Sequence, residues 1–150
     1  MKKTIKMPVV GAVMTSFPYF VEADDTADKL ERMMDEHGIR HLPVQQKGKV
    51  VGIVSERDLH HLVKRDAPEA EKETIQARHI MVRNPYIVSF RAPLSEVVFE
   101  MAKRRIGSVI VQRQGKLAGI LSAIDVCRIL GEYLESMFPG GRRGGGNTAA

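Results

Sequence analysis

The sequence has a single cysteine, Cys127, and no apolar run near the roughly 20 residues that cross a bilayer. One cysteine leaves no partner for an internal disulfide, and its place in an apolar helical pattern beside Val126 and Ile129 predicts a small buried side chain without a catalytic role. The first six residues also lack the apolar stretch of a signal peptide. We therefore expect no membrane span and a cytoplasmic protein.

The formal net charge of +5 comes from the two ends of the chain, and the central part is neutral. Five basic residues in the end segments account for the whole excess, and those segments contain no acidic residue: Lys2, Lys3, Lys6, Arg142 and Arg143. A nucleic-acid-binding domain is expected to carry its excess charge on the folded surface. The charge pattern thus disfavours a nucleic-acid partner.

The histidines and serines do not form the clusters that catalysis or metal binding needs. The five histidines are scattered, and the adjacent His60 and His61 cannot lie on one face of a helix. Ser55 and Ser122 have no general base at a defined spacing. We expect a protein that is not an enzyme and that requires neither a metal nor another cofactor.

What the sequence does contain is an internal repeat. The segment 52–58, Gly-Ile-Val-Ser-Glu-Arg-Asp, returns at 119–125 as Gly-Ile-Leu-Ser-Ala-Ile-Asp, an offset of 67 residues (119 against 52). The same offset relates further pairs without a gap: Met14 and Met81, Pro18 and Pro85, Tyr19 and Tyr86, Met34 and Met101, Ile39 and Ile106, Gly48 and Gly115. Such self-similarity determines the architecture.

Two units of this size would each be marginal alone, so we predict one compact module of two repeats related by a pseudo-two-fold axis. The fold class is α+β, and each repeat has the order β-α-β-β-α. The predicted boundaries are a lead-in at 1–9, repeat 1 at 10–66, a charged linker at 67–76, repeat 2 at 77–136, and a disordered Gly/Arg tail at 137–150.

Local signals place the elements of the first repeat. Residues 18–21 favour an extended piece, and the apolar spacing after Thr26 predicts a helix that ends at Gly38. Strands at 39–44 and 49–54 flank a turn at 46–48. Ser55 then begins a second helix, as Ser122 does in the second repeat. We expect strands 39–44 and 106–111 to lie where the two copies meet.

The repeated Ser-x-x-Asp motif has two interpretations. Free backbone N–H groups and a serine hydroxyl at a helix start can donate to phosphate, and a carboxylate in the first turn can accept from a diol, which together describe a nucleotide. Alternatively, the serine and the acidic residue close the helix start on each other as a capping box. Duplication would preserve either role, so both interpretations remain open.

Over residues 10–134 the chain resembles a tandem pair of cystathionine β-synthase (CBS) domains. The resemblance rests on Gly-x-x-Ser-x-x-Asp in both copies, on segments 14–18 and 81–85, and on segment 38–44. It implies two repeats that pack through their sheets and form two clefts. Such clefts often bind AMP, ADP, ATP or S-adenosylmethionine, and two modules commonly pair into a flat disc.

The resemblance also implies that each cleft mixes the copies. One cleft joins Ile53, Ser55, Arg57 and Asp58 with Tyr86, Ile87, Ile106, Gly107 and Ser108. The other joins Ile120, Ser122 and Asp125 with Phe20, Val21, Thr26, Ile39 and Arg40.

The two clefts are not chemically equal. Arg57 is matched by Ile124 in the second motif, so the Asp58 cleft should hold phosphate more tightly. Arg40 and His41 are matched by Gly107 and Ser108, and they could meet phosphates from either side. The alternative for Arg40 and His41 is a solvated pair at a strand end.

The sequence therefore predicts a regulatory module that binds an adenosine compound and signals through a change in shape or assembly to an unidentified protein target. The alternative is a structural or interaction module whose clefts are vestigial. We also expect a homodimer with an apolar helical interface. Its predicted members are the methionines of the first helices and the Val126, Ile129, Leu130 and Leu134 face of the last helix.

Overall fold

The structure is a computed structural model that describes residues 5–140. Its strands are β1 (Thr15–Ser16), β2 (Val21–Glu22), β3 (His41–Gln46), β4 (Lys49–Ser55), β5 (Val82–Arg83), β6 (Ile87–Ser89), β7 (Ser108–Arg113) and β8 (Lys116–Ser122). Its helices are α1 (Ala27–His37), α2 (Glu56–Leu62), α3 (Glu69–Thr74), α4 (Ala77–Ile80), α5 (Leu94–Arg104) and α6 (Ala123–Met137), and a short 3-10 turn covers Val10–Ala12.

Two four-stranded sheets form the centre of the fold, with the orders β2-β3-β4-β5 and β1-β8-β7-β6. Each sheet takes one edge strand from the other repeat, because β5 pairs with β4 and β1 pairs with β8. Thr15 is opposite Ile120, and Val82 is opposite Ile53. Thr15 and Val82 are 67 residues apart, as are Ile53 and Ile120, so the two pairings are equivalent in the two repeats. The predicted α+β fold of two symmetric repeats is confirmed, and the strand exchange is an addition to it.

Each sheet is built on a hairpin with a two-residue turn. Both central residues have positive φ: 52° at Lys47 and 75° at Gly48, and 52° at Gln114 and 73° at Gly115. This is the backbone of a type I′ turn, whose twist matches that of the strands it joins. The predicted turn at 46–48 is thus confirmed.

The first helix of each repeat ends in the left-handed conformation. Thr26 caps the start of α1 through its hydroxyl, which accepts from the Lys29 N–H at 3.4 Å, and Gly38 caps its end with a φ of 62°. Helix α5 ends at Arg105 with a φ of 55°. A side chain in this region costs about 1 kcal/mol, so arginine is a less favourable choice there than glycine.

The repeats exchange core residues as well as strands. Val10, from the start of repeat 1, is buried in the second core, whereas Ala77 and Ile80 from repeat 2 are buried in the first. Backbone bonds hold the two leading segments in place: the Gly11 N–H donates to the Phe90 carbonyl at 2.8 Å, and the Ala77 N–H donates to the Asp25 carbonyl at 2.8 Å. Neither repeat therefore completes its core alone.

The strands that bring the two sheets together are β4 and β8, the hairpin partners of the strands predicted to lie there. Strand β7 contributes Ile110, which is fully buried but belongs to neither of the two cores. Its neighbours on the strand, Val109 and Val111, belong to the second core. Strand β3 contributes His41, whose ring lies against Gly107. The prediction was therefore incomplete, since it named only one strand of each hairpin.

Several sequence-based expectations differ from the structure. Cys127 is exposed on α6, not buried, because α6 has no fully buried residue. Met34 and Met101 are buried in the two cores, so the methionines of the first helices do not form an exposed interface. Residues 18–20 are not a strand, since β2 begins at Val21. Helix α6 extends through Met137, and residues 141–150 of the predicted disordered tail lie outside the described residues.

The charged linker is tied to the first repeat by one buried lysine. Lys72 of α3 is 7% exposed, and its ammonium donates to the Glu31 carboxylate at 2.9 Å and to the Arg65 carbonyl at 2.6 Å. This hydrogen bonding raises the pKa of Lys72. The sequence predicted a charged, solvated linker with some helix there; α3 is that helix, and the burial of Lys72 was not expected. Within residues 5–140 the structure has no helix with the length and apolar character of a membrane span.

The glycines of the repeated motif allow the exchanged strands to approach. A Cβ on Gly52 would lie 2.9 Å from the Val82 carbonyl oxygen and 2.6 Å from the Met81 sulfur, and Gly119 meets Thr15 and Met14 in the same way. We expect Gly52→Ala and Gly119→Ala each to lower the free energy of unfolding by about 1–3 kcal/mol, as overpacking does. Urea titration measures this.

Gly131→Ala is the matched control, because nothing lies within 4 Å of a Cβ at this helical position. It should raise the stability by about 0.5–1 kcal/mol through the lower helix propensity of glycine. If Gly52→Ala were as stable as the wild type, the close approach of the exchanged strand to Gly52 would be contradicted.

Candidate functional site

A cavity of about 520 Å³ lies between the two repeats. The first repeat contributes His41, Ile53, Ser55, Arg57 and Asp58, and the second contributes Val82, Asn84, Pro85, Tyr86, Arg104, Arg105, Ile106, Gly107 and Ser108. Because its walls come from both copies, a ligand in this cavity would bridge them.

The cavity contains every residue predicted for the Asp58 cleft except Ile87. That residue lies in β6, where it pairs with Ile110. Sequence reasoning missed Val82, Asn84, Pro85, Arg104 and Arg105. The first three lie in the repeated segment 81–85, which was noted as a repeat but not as a wall. Arg104 and Arg105 were harder to find from the sequence, because they are not repeated: the first repeat has His37 and Gly38 at the corresponding positions.

Asp58 is placed by the helix that follows β4. Ser55 begins α2, and its hydroxyl accepts the Asp58 backbone N–H at 3.0 Å. The Asp58 carboxylate accepts no hydrogen bond from any group in residues 5–140, and Asp58 lines the cavity. The carboxylate is thus available to accept hydrogen bonds from a ligand.

The carboxylate of Asp125, the counterpart of Asp58 in the second repeat, already contacts protein groups. Its Oδ2 accepts from the Ser122 N–H at 2.9 Å and from the Ser122 hydroxyl at 2.9 Å, which completes a capping box. Its Oδ1 lies 3.8 Å from the Arg128 guanidinium. The capping interpretation is therefore correct for the second copy, while the first copy has only the serine half of the box.

Three guanidinium groups line the cavity. Arg104 stacks over the Tyr86 ring, 4.3 Å from its centre, and donates to Glu100 at 2.8 Å. Arg105 has the left-handed backbone described above, and Arg57 is exposed. Because Arg104 is paired with Glu100, the lining has two guanidinium groups without an ion pair in residues 5–140, those of Arg57 and Arg105, against one carboxylate, Asp58. The cavity is therefore electropositive, and it favours an anionic ligand.

His41 lies at one side of the cavity, on the strand that faces Gly107. A Cβ on Gly107 would lie 3.3 Å from His41 Nε2, so this glycine leaves room for the ring. Burial lowers the pKa of His41 below its ordinary value of 6.5; the Asp58 carboxylate opposes this shift, and Arg40 adds to it. The ring is therefore a neutral donor and acceptor near neutral pH.

The residues predicted for the second cleft have mainly structural contacts. Val21 is buried in the first core, Ile39 packs against that core, and Thr26 caps α1. Ile120 is paired with Thr15 of the exchanged strand. Phe20 is 43% exposed, Ser122 and Asp125 form the capping box, and the Arg40 side chain is 77% exposed beside Glu56. None of these eight residues lines the Asp58 cavity.

Two α+β repeats that exchange edge strands and enclose a cleft define a two-repeat binding module. The family model of the CBS domain matches residues 10–65 and 77–132, which is most of the chain. The chain belongs to the CBS domain family. The predicted resemblance is thereby confirmed.

Solved structures share the fold over most of the chain. A candidate acetoin utilization protein (AcuB) from Vibrio cholerae is 28% identical, with a TM-score of 0.76 over 88% of this chain and 96% of that one. The CBS domain pair of protein MJ0100, in complex with 5'-methylthioadenosine and S-adenosyl-L-methionine, is 23% identical, with a TM-score of 0.72 over 85% and 99%. CBSX2 in complex with AMP is 23% identical, with a TM-score of 0.71 over 84% and 98%.

Curated relatives are longer than the chain. An inosine-5'-monophosphate dehydrogenase from Korarchaeum cryptofilum is 33% identical over 107 residues, which are 71% of this chain but 21% of that protein. The uncharacterized protein MJ0188 from Methanocaldococcus jannaschii is 28% identical over 120 residues, 79% of this chain and 43% of that protein. The chain thus spans less than half of either relative.

His41 should make stability depend on pH. Because its pKa is lower in the folded protein than in the unfolded chain, protonation favours unfolding. This stabilisation is complete above about pH 6.5, the unfolded value, and is lost as the pH falls toward the folded value. When the pH is lowered from about 7.5 to about 5, we expect the melting temperature of His41→Gln to fall less than that of the wild type. Circular dichroism melts measure this.

The same substitution at the exposed His61 controls for the loss of an imidazole. If His41→Gln and the wild type showed the same change in melting temperature across this range, the inferred burial effect at His41 would be wrong.

Proposed function

We propose that the chain is a non-catalytic regulatory module that binds an adenosine nucleotide in the Asp58 cavity and signals through a change in shape or assembly. One observation carries the proposal: the cavity combines a carboxylate that accepts no hydrogen bond within residues 5–140 with three guanidinium groups and apolar walls. No other part of residues 5–140 described above has this combination.

Each part of a nucleotide has a complementary surface in the cavity. Ile53, Val82, Pro85 and Ile106 are apolar and suit a flat base. The Asp58 carboxylate suits the ribose diol, as acidic residues do in other nucleotide folds. The guanidinium groups of Arg57, Arg104 and Arg105 suit the phosphates, through charge-assisted hydrogen bonds.

The solved relatives support the ligand class, since one contains AMP and another 5'-methylthioadenosine with S-adenosyl-L-methionine. Among AMP, ADP, ATP and S-adenosylmethionine, the lining favours the phosphorylated compounds. The sulfonium of S-adenosylmethionine is a cation, and the three arginines of the cavity, set against one carboxylate, would repel it. We therefore place a nucleotide in the cavity.

Signalling is the natural output of such a site, because a ligand that contacts both repeats stabilises one relative placement of them. The regulated target would then be a partner protein or another part of a longer chain. The single cysteine is exposed, and an unpaired exposed thiol suits a reducing compartment, so we propose that the module is cytoplasmic.

A structural or interaction module with vestigial clefts is the second candidate. The observation that favours it is Asp125, whose carboxylate is consumed by the cap and by Arg128. If Asp58 turned back toward Ser55 in the same way, the first cleft would also lose its diol acceptor. Ligand titration separates the two candidates.

Asp58→Ala should weaken nucleotide binding by about tenfold to a hundredfold, because a charge-assisted hydrogen bond contributes about 1.5–3 kcal/mol. Asp125→Ala is the matched control: it removes a helix cap and should lower the stability by about 1 kcal/mol while the tight site remains. Isothermal titration calorimetry with AMP and ATP measures both. Loss of the tight site in Asp125→Ala, with Asp58→Ala unaffected, would show that the clefts are assigned the wrong way round.

We also propose that the chain is a homodimer. Helix α6 has no fully buried residue, and Leu130, Tyr133 and Leu134 are 54%, 54% and 44% exposed. Phe99 on α5 is 74% exposed. Val126 and Ile129, predicted as part of the same face, instead pack partly against the second core. Large apolar side chains grouped on one helix favour burial against another surface.

The double variant Leu130→Asp and Leu134→Asp should shift the chain from dimer to monomer, because it places charge in the proposed apolar contact. Sedimentation velocity over a wide concentration range measures the mass. Lys103→Asp, an exposed change on α5, controls for added negative charge. A wild-type protein that stays at the mass of one chain throughout would contradict the dimer.

A further inference from the structure

A basic surface lies at one end of the second sheet. Arg113 is the last residue of β7, and Arg91 lies just beyond the end of β6. Both guanidinium groups lie over the ring of Phe90, 4.8 Å from its centre for Arg113 and 5.4 Å for Arg91. Lys116 is opposite Arg113 across the hairpin turn, and all three basic residues are exposed. We call these four residues the Phe90 patch.

The Phe90 ring is held firmly enough to order the two arginines. Its backbone N–H donates to the Gln112 carbonyl at 2.9 Å, and its side chain packs partly against the second core. Gly11 lies against the ring, since a Cβ there would be 3.1 Å from Phe90 Cδ2. The cation–π contacts with this fixed ring restrict both guanidinium groups, which lowers the entropy that a binding partner must remove.

The positive charge of the Phe90 patch is uncompensated. The side chains of Arg91, Arg113 and Lys116 form no ion pair and donate no hydrogen bond within residues 5–140. The sequence has no acidic residue at 74–95 or at 101–124. Like charges directly opposite each other on paired strands also destabilise a sheet. The fold thus gathers three cations whose charge an anionic partner would neutralise.

The first repeat shows that the fold does not need the Phe90 patch. It has Ala23, Asp24 and Gln46 at the positions of Phe90 and the two arginines. Its sheet nevertheless has the equivalent strand order, and its hairpin has the same register and the same bulge. The sheet therefore forms without the ring and without either guanidinium group, so a structural role does not account for them.

The Phe90 patch is separate from the nucleotide cavity. Ser108, the first residue of β7, lines the cavity, whereas Arg113 is the last residue of that strand. A strand of this length spans about 17 Å. Tyr86 and Arg91 are separated in the same way, since they precede and follow β6. The two sites therefore lie at opposite ends of the same two strands.

From this ordered and uncompensated charge we propose that the Phe90 patch is the docking surface for an acidic segment of a partner protein. The segment has at least two neighbouring carboxylates, because each arginine presents a planar fork of donors that matches one carboxylate. The ammonium of Lys116 supplies a third positive charge beside them. This inference goes beyond the proposed nucleotide site, and it stands whether or not a nucleotide is bound.

The shape of the Phe90 patch favours an acidic protein segment over a nucleic acid. Nucleic acids are held by many cations along a track of phosphates, and single strands stack their bases on open aromatic rings. The Phe90 patch has three cations in one small area, and guanidinium groups already lie over its ring.

The test is fluorescence anisotropy of a labelled peptide of alternating Glu and Ser, titrated with the full chain at low ionic strength. The same peptide with Gln in place of Glu, and a labelled oligothymidylate, are the comparison probes. We expect the Glu peptide to bind at least about tenfold more tightly than the Gln peptide, through charge-assisted contacts that added salt weakens.

The double variant Arg91→Gln and Arg113→Gln should weaken binding of the Glu peptide by at least about tenfold, because both carboxylate contacts are lost. The double variant Arg91→Lys and Arg113→Lys keeps the charge but not the planar forks, so it should bind with intermediate affinity. Titration with AMP should give the same affinity for the wild type and for both double variants, since neither arginine lines the cavity.

The matched control is the double variant Lys47→Gln and Lys49→Gln, which removes the same charge from the hairpin of the first repeat. Gln already stands at the position of Lys47 in the second hairpin, as Gln114 with the same φ of 52°. This control should bind the Glu peptide as the wild type does. Equal weakening in the control and in the arginine-to-glutamine variant would overturn the proposal, because net charge alone would then explain binding.

Two further outcomes would overturn the docking surface. One is a wild-type chain that does not bind the Glu peptide. The other is an oligothymidylate that binds as tightly as the Glu peptide and is lost with it in the arginine-to-glutamine variant, since the surface would then be a nucleic-acid site. A wild-type chain that binds the Glu peptide but no adenosine nucleotide would support the docking surface and contradict only the proposed nucleotide function.

Discussion

The exchange of edge strands is the constraint on which the rest of the structure depends. Strands β1 and β5 each complete the sheet of the other repeat, and the segments that lead into them fill the other repeat's core through Val10, Ala77 and Ile80. The exchange is sterically possible because Gly52 and Gly119 carry no Cβ where the entering strands approach. The same crossing brings segment 82–86 against the start of α2 and so forms one wall of the cavity.

The structure also shows how one duplicated motif can serve two purposes. Ser122 and Asp125 close a complete capping box, and Arg128 lies 3.8 Å from the remaining oxygen of Asp125. In the first repeat His61 stands at the position of Arg128, and the Asp58 carboxylate is left free of hydrogen bonds within residues 5–140. A small change in neighbours thus separates a structural carboxylate from one that can bind a ligand.

Positive charge is concentrated in the same way, on one side of the pseudo-two-fold axis. Arg57, Arg104 and Arg105 line the Asp58 cavity, and Arg40 lies close by, in a smaller cavity that shares Arg57 with it. The left-handed backbone at Arg105 is a local cost of about 1 kcal/mol that its counterpart Gly38 avoids. Strain of this kind at a cavity wall is consistent with a functional position, because glycine would serve the helix end better.

The sequence by itself determined the repeat, the β-α-β-β-α order within each copy, the turns and the starts of α1, α2 and α6, because these follow from local patterns that the 67-residue offset makes visible twice. It also brought most of the Asp58 cleft together, through the resemblance to the CBS family. It did not predict the strands β1 and β5 or the helix α4. Only the tertiary structure decided that β1 and β5 change places, that Cys127 is exposed, and that Lys72 is buried.

The tertiary structure alone also distinguished Asp58 from Asp125, since identical motifs cannot reveal which carboxylate is engaged. The positions of Arg104 and Arg105 in the cavity depend on where α5 ends relative to the other repeat. The reason is the same in each case: hydrogen bonding, burial and cavity walls depend on residues distant in sequence, and a local pattern contains no record of them.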